Sequence, residues 1–192
     1  MGRLILITGG ARSGKSSYAE QRAAELGGDN VLYVATSQIL DEEMRDRVRK
    51  HQAQRPSAWQ TIEAPLNVAA AIRDQAQIAD QIILLDCLTL LTTNILMQAA
   101  GPEGDAFNEP SSDPFATEIE SAVLREVNAL IELAQQSQGT MLVVTNEIGL
   151  GVVPPYELGR AYRDILGRAN QVFAAASDEV ILMVAGIPMS VK

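Results

Sequence analysis

The chain has 192 residues, a formal net charge of −9, and 47% hydrophobic against 20% charged residues. That length suits one domain with a sizeable core, and the acidic balance argues against a general nucleic-acid binder, which needs a basic face. A single cysteine, Cys87, excludes an internal disulfide and any cysteine-based zinc cluster. With no secretion-signal layout in MGRLILITGG, the expected compartment is the cytoplasm.

The first predicted element is a buried strand over Leu4–Thr8. It runs into Gly9-Gly10-Ala11-Arg12-Ser13-Gly14-Lys15-Ser16, and a helix is predicted over Lys15–Leu26. Strand, Gly-x4-Gly-Lys-Ser loop and helix together are the context of a phosphate-binding P-loop. Glycines let the backbone curl so that successive N–H groups face phosphate oxygens. The helix start adds the positive end of its dipole. Lys15 is placed to reach the β- and γ-phosphates, and the Ser16 hydroxyl to ligate Mg²⁺. Arg12 reads two ways, as a group that steadies phosphate charge or as a solvent-facing side chain. The motif points to a nucleoside triphosphate without naming its base.

A second strand is predicted over Val31–Ala35, followed by a helix over Asp41–Gln54. Asp41 caps that helix, Glu42 and Glu43 suit its first turn, and Pro56 stops the chain beyond it. Arg45, Arg47, Arg49, Lys50 and Arg55 make the segment a local anion attractor in an acidic chain. It carries the only histidine, His51. His51 has two readings. Arg47 stands four residues earlier on the same face and disfavours imidazolium, leaving a neutral ring able to attack phosphorus. Alternatively, it is an incidental histidine on a solvated basic helix.

An edge strand is predicted over Trp59–Glu63 and a helix over Leu66–Ile78. The apolar strand Ile82–Asp86 ends in a carboxylate, the Walker B arrangement in which Asp86 holds Mg²⁺; the other reading is a cap on the following helix. Helices follow over Leu88–Gln98 and Ala116–Gln136, separated by the polar loop Ala99–Pro114. Polar residues such as Asp86, Thr92 and Asn94 interrupt Ile82–Met97, so that stretch is no membrane span. Strands over Met141–Thr145 and Val180–Ala185 flank a helix over Glu157–Ala176, and Pro188–Lys192 returns as a last, antiparallel strand. The alternation predicts an α/β fold over residues 1–192, a P-loop NTPase with a mostly parallel sheet and helices on both faces. Thr145-Asn146-Glu147 lacks the Lys and Asp of a guanine-reading Asn-Lys-x-Asp, which disfavours a regulatory GTPase.

GGARSGKS, VLYVATSQILDEEM, the basic helix with H-x-x-x-R-P, W-x-T-x-E-x-P, LLDCLT, VTNEIGLGVVP, RDILGRANQ and ASDEVILMVAG occur here in order. Together they resemble the bifunctional adenosylcobinamide kinase / adenosylcobinamide-phosphate guanylyltransferase family of cobalamin biosynthesis. The resemblance covers nearly the whole chain apart from the Ala99–Pro114 loop. It implies a RecA-like P-loop sheet, a homotrimer, and two reactions. The first phosphorylates the aminopropanol hydroxyl of adenosylcobinamide with ATP or GTP. The second transfers GMP from GTP through a GMP-histidine, giving adenosylcobinamide-GDP and pyrophosphate.

Carried onto this chain, the resemblance makes His51 the nucleophile and Lys15 a catalytic cation. It assigns nucleotide contacts to Gly9–Ser16, to Ala35, Thr36 and Ser37, to Gln52, Ala53, Gln54 and Arg55, and to Glu63, with Asp86 aligned to a strand-end acid. Mg²⁺ is expected on Ser16 and Asp86, with a corrinoid and nucleotides as the partners. Pro155-Tyr156 departs from the Glu-Asn-like pair that the family places after GVVP. Two other readings compete: a P-loop small-molecule kinase in which His51 is idle, and a nucleotide-binding regulatory module without transfer chemistry.

Overall fold

Runs such as Leu4–Ile7 and Ile82–Leu85 carry no polar alternation, so they are stable only as strands covered on both sides. The computed structural model describes residues 2–38, 55–75, 80–100 and 113–192 and places each of these runs in one sheet. In chain order the elements are β1 (Arg3–Gly9), α1 (Lys15–Gly27), β2 (Val31–Ala35), β3 (Gln60–Glu63), α2 (Val68–Arg73), β4 (Ile82–Asp86), α3 (Leu88–Ala100), α4 (Asp113–Gln136), β5 (Thr140–Val144), α5 (Glu157–Ala176), β6 (Glu179–Val184) and β7 (Ile187–Ser190).

The seven strands lie in the order β3-β2-β4-β5-β1-β6-β7. All neighbours are parallel except β6 and β7. One strand, β5, separates the loop-bearing β1 from the carboxylate-bearing β4. The two-residue period of each strand sorts its side chains between two cores. Leu4, Leu6, Leu32, Val34, Ile83 and Leu85 face α2 to α5, where Phe173 and Leu166 of α5 pack. Ile5, Ile7, Tyr33, Leu84, Leu142 and Val144 face α1 through Ala19 and Ala23. Asp86 shares the parity of Ile82 and Leu84, so its register directs it to the α1 side.

Several boundaries differ from the sequence expectation. β5 and β6 each begin one residue earlier, and β7 covers Ile187–Ser190. The helix expected over Leu66–Ile78 starts two residues later, as α2 over Val68–Arg73, because Asn67 adopts a left-handed φ of 51° and so stands outside the helix; residues 76–78 of the expected span lie outside the described residues. The polar Ala99–Pro114 stretch is helical at both ends: α3 continues to Ala100 and α4 starts at Asp113, where Pro114 is tolerated in the first turn. The helix expected over Asp41–Gln54 lies outside the described residues.

The β6–β7 hairpin turns through Ala185 (φ 50°) and Gly186 (φ 85°), two positive-φ residues as a tight hairpin requires. Its Gly186 N–H donates to the Ser13 carbonyl at 2.9 Å, so the antiparallel edge braces the Gly-rich loop. Phe173 is fully buried in the larger core. Phe173→Ala is expected to lower unfolding free energy by about 3–5 kcal/mol, read from the urea midpoint at unchanged slope.

Candidate active site

The carboxyl ends of β1, β2, β4 and β5 converge on one edge, where open parallel sheets bind ligands. Gly9 ends β1 at φ 153°, and a Cβ there would meet the Met183 carbonyl oxygen at 2.6 Å; only glycine lets the loop turn so close to β6. Gly14 caps α1 at φ 92°, and Arg12 also takes a left-handed φ of 54°. The α1 N-cap carries no side-chain hydrogen bond, and the first turn holds no acid. The first-turn N–H groups and the positive dipole end therefore receive no side-chain anion of the helix's own.

Lys15 is buried behind this loop and its Nζ donates to the Gly10 carbonyl at 2.7 Å. Burial lowers its pKa from the ordinary lysine value, and the nearby Cys87 and Asp86 groups, when ionised, oppose that shift. The protein thus folds a compact cation under the loop and leaves it short of full ion pairing. Arg12 is exposed and lines, with Gly10, Ala11, Glu147 and Leu150, a cavity of about 380 Å³ beside the loop. Ser16 is half-buried at the first turn of α1.

Asp86 closes β4. Its Oδ2 accepts a hydrogen bond from the Tyr33 hydroxyl at 2.9 Å, which leaves acceptor capacity on the carboxylate. The Arg55 guanidinium lies 3.3 Å from the centroid of the Tyr33 ring, and its Nε donates to Glu20 Oε1 at 3.0 Å. A chain of contacts therefore joins α1, the turn before β3, β2 and the β4 carboxylate. Arg55 is mostly buried in that chain.

The remaining expected residues occupy distinct places. Ala35 sits in register with both Asp86 and Glu63. Thr36 is wholly buried; its hydroxyl donates to the Cys87 carbonyl and accepts from the Cys87 N–H, so its side chain fastens β2 to β4. Ser37 follows, half-buried. Glu63 is exposed on edge strand β3, four inter-strand spacings from β1, roughly 19 Å at the usual strand separation. Glu63 and the Gly-rich loop therefore address different parts of whatever spans this edge. His51, Gln52, Ala53 and Gln54 lie outside the described residues. Among the described residues no cluster of three or more His, Cys, Asp or Glu side chains could hold a metal by itself.

Sequence reasoning missed the supports beneath these residues. Thr145 donates to Asn170 Oδ1 at 2.8 Å, Asn170 Nδ2 donates to the Asn146 carbonyl, and the Asn146 N–H donates to Thr89 Oγ1 at 2.7 Å. This ring ties β5 to α3 and α5. Asn94 Nδ2 donates to the Thr36 and Pro65 carbonyls. The only sequence signal was the presence of small polar residues on otherwise apolar faces.

Cys87 follows Asp86 directly, and its thiol is pushed up to about 11 by burial first and by the Asp86 charge second. A thiol shifted upward stays protonated at pH 8. Alkylation of the folded protein by iodoacetamide at pH 8 is therefore expected to run about a hundredfold slower than after denaturation, two pKa units at a factor of ten each. Comparable rates, measured by mass spectrometry, would contradict the raised thiol pKa.

Comparison with known proteins places this arrangement in context. Residues 5–191 match the family described as cobinamide kinase / cobinamide phosphate guanyltransferase. The bifunctional adenosylcobalamin biosynthesis protein CobU of Salmonella typhimurium is 43% identical over 190 residues, covering 98% of this chain and 99% of that protein. The protein of the same name from Escherichia coli is 40% identical over 189 residues, covering 98% and 99%. The bifunctional adenosylcobalamin biosynthesis protein CobP of Pseudomonas aeruginosa is 43% identical over 187 residues, covering 97% and 96%. With its Gly-rich loop, strand-end carboxylate and sheet order in place along a near full-length match, the chain belongs to the cobinamide kinase / cobinamide phosphate guanyltransferase family.

Proposed function

We propose that the protein phosphorylates the aminopropanol hydroxyl of adenosylcobinamide, using ATP or GTP, and then transfers GMP from GTP to the new phosphate. The observation that carries this reading is the uncapped head of α1 with Lys15 buried beneath it, an anion site preformed in an acidic chain. Membership of a family named for both reactions supplies the substrate.

In the first step the hydroxyl oxygen attacks the γ-phosphorus and gives up its proton to solvent, the bond from that phosphorus to the bridging oxygen breaks, and a nucleoside diphosphate leaves. The loop N–H groups and Lys15 hold the triphosphate and offset its charge. In the second step a nitrogen of His51 attacks the α-phosphorus of GTP and pyrophosphate leaves. A phosphate oxygen of cobinamide phosphate then displaces the histidine, forming the diphosphate link and restoring the ring. Arg55, four residues beyond His51 in the chain, is fixed between Glu20 and Tyr33.

The Ser16 hydroxyl and the Asp86 carboxylate are hard oxygen donors, and the absence of a larger acidic cluster among the described residues suits Mg²⁺, which keeps waters and phosphate oxygens as its other ligands. When bound, the ion would neutralise charge between the β- and γ-phosphates. In the same reading the nucleotide also contacts Ala35, Thr36, Ser37, Gln52–Arg55 and Glu63, and the enzyme works as a cytoplasmic homotrimer. In support of a non-membrane setting, none of the described helices is long and apolar enough to cross a membrane.

Two outcomes test this reading. With α-labelled GTP and Mg²⁺, wild-type protein is expected to acquire a covalent label stable to alkali and labile to acid. His51→Ala should abolish that label while phosphorylation of adenosylcobinamide persists; a labelled His51→Ala protein would refute the nucleophile. Lys15→Ala is expected to lower turnover in both steps by about 10²–10³, the usual loss when one preorganised charge partner is removed. Retention of normal rates in either step would remove the loop from that step.

A further inference from the structure

The chain from Glu147 to Tyr156 has two faces. Glu147 and Leu150 line the cavity beside the Gly-rich loop, and the Glu147 N–H donates to the Gly9 carbonyl at 3.0 Å, so the segment starts on β1 itself. Ile148 and Val152 to Tyr156 wall a second cavity of about 390 Å³ against α5, which Tyr162 and Arg163 also line. A third hollow, about 290 Å³, continues past Tyr156 and Tyr162 to Leu96 and Thr93 of α3. The loop-side cavity and the apolar hollows are thus joined by one short segment.

That segment exposes much apolar surface. Leu150 is 85% exposed, Val152 94%, and Tyr156 70%. Large apolar side chains crowded on one exposed strip mark a binding surface. The strip is built and held. Arg160 Nη1 donates to the Pro154 and Pro155 carbonyls at 3.2 and 2.8 Å. Gly159 admits the loop onto α5, since a Cβ there would meet Pro154 Cβ at 2.7 Å. The base is polar at one point: the Tyr162 hydroxyl donates to the Thr89 carbonyl and lies 3.0 Å from the Thr93 hydroxyl. Concave, mostly apolar walls with few fixed polar groups are the chemistry of a site for a bulky organic ligand.

Resting on the reading above, we propose that this strip, Ile148 to Tyr156, is the docking surface for the corrin ring of the substrate. A corrinoid has broad apolar faces and carries its reactive hydroxyl on a short flexible arm. A ring seated on Val152, Val153 and Tyr156 would lie beside the loop that holds the γ-phosphate, with Leu150 and Glu147 between them. The arm then needs only to cross that boundary to present its oxygen.

The test is equilibrium dialysis of the full-length protein with adenosylcobinamide, followed by corrin absorbance, in parallel with GTP binding. Val152→Asp/Val153→Asp is expected to weaken corrinoid affinity by about tenfold or more, because charge must be desolvated against an apolar face. GTP affinity should stay unchanged, and Val152→Leu/Val153→Leu should bind the corrinoid as wild type does. Normal corrinoid affinity in the Asp pair would overturn the docking surface and leave the reaction assignment standing. A parallel loss of GTP binding, or a change of oligomeric mass on sedimentation, would overturn it as well, since the strip would then serve the fold or a second copy of the chain. Wild-type protein that neither binds nor phosphorylates adenosylcobinamide would overturn both.

Discussion

A buried ammonium group at the head of a helix without a side-chain cap is the constraint around which the rest is arranged. Taking a lysine cation from water is unfavourable unless partners replace its hydration. Here the Gly10 carbonyl supplies one hydrogen bond, and the charge of Asp86 stabilises the cation from the neighbouring part of the sheet edge. Neither neutralises the positive end of α1. The most favourable completion of this geometry is an anion with several oxygens, which is the shape of a polyphosphate tail. In a chain of net charge −9 such an anion is drawn in by this local arrangement and not by the field of the whole protein.

A preformed anion site works only if it does not relax when empty. The structure meets that need by fixing the strand ends from outside the site. The β6–β7 hairpin braces Ser13 from one side, and the Thr89–Asn146–Asn170–Thr145 ring locks the end of β5 from the other. Tyr33 holds one oxygen of Asp86, and Arg55 holds the face of Tyr33. Thr145, Asn170, Tyr33 and Arg55 each meet a specific partner and so add rigidity, whereas Ser13 is held through its backbone carbonyl and its buried hydroxyl has no partner among the described residues. The consequence is an edge on which charge is already oriented before a ligand arrives.

The same economy explains why one short connection can serve two ligands. The chain leaving β5 must pass the Gly-rich loop before it can enter α5, so one of its flanks faces phosphate and the other faces α5. The docking surface inferred above follows from that path. It would place a bulky apolar ligand next to the charged site.

The sequence by itself determined the parallel α/β class, the loop at Gly9–Ser16, the carboxylate at Asp86 and the terminal antiparallel strand, because each is written in local chemistry. Glycine spacing fixes a backbone path, and continuous apolar runs fix strands buried on two faces. The exact span of α5, Glu157–Ala176, was equally legible from its strong apolar stripe. Only the tertiary structure decided that Thr36 fastens strands and that Arg55 reaches Tyr33 and Glu20. These depend on contacts between residues far apart in the chain, such as Thr145 with Asn170 or Gly186 with Ser13, whose pairing follows from the strand order β3-β2-β4-β5-β1-β6-β7. A local pattern records what a residue can do; the sheet order decides which partner it meets.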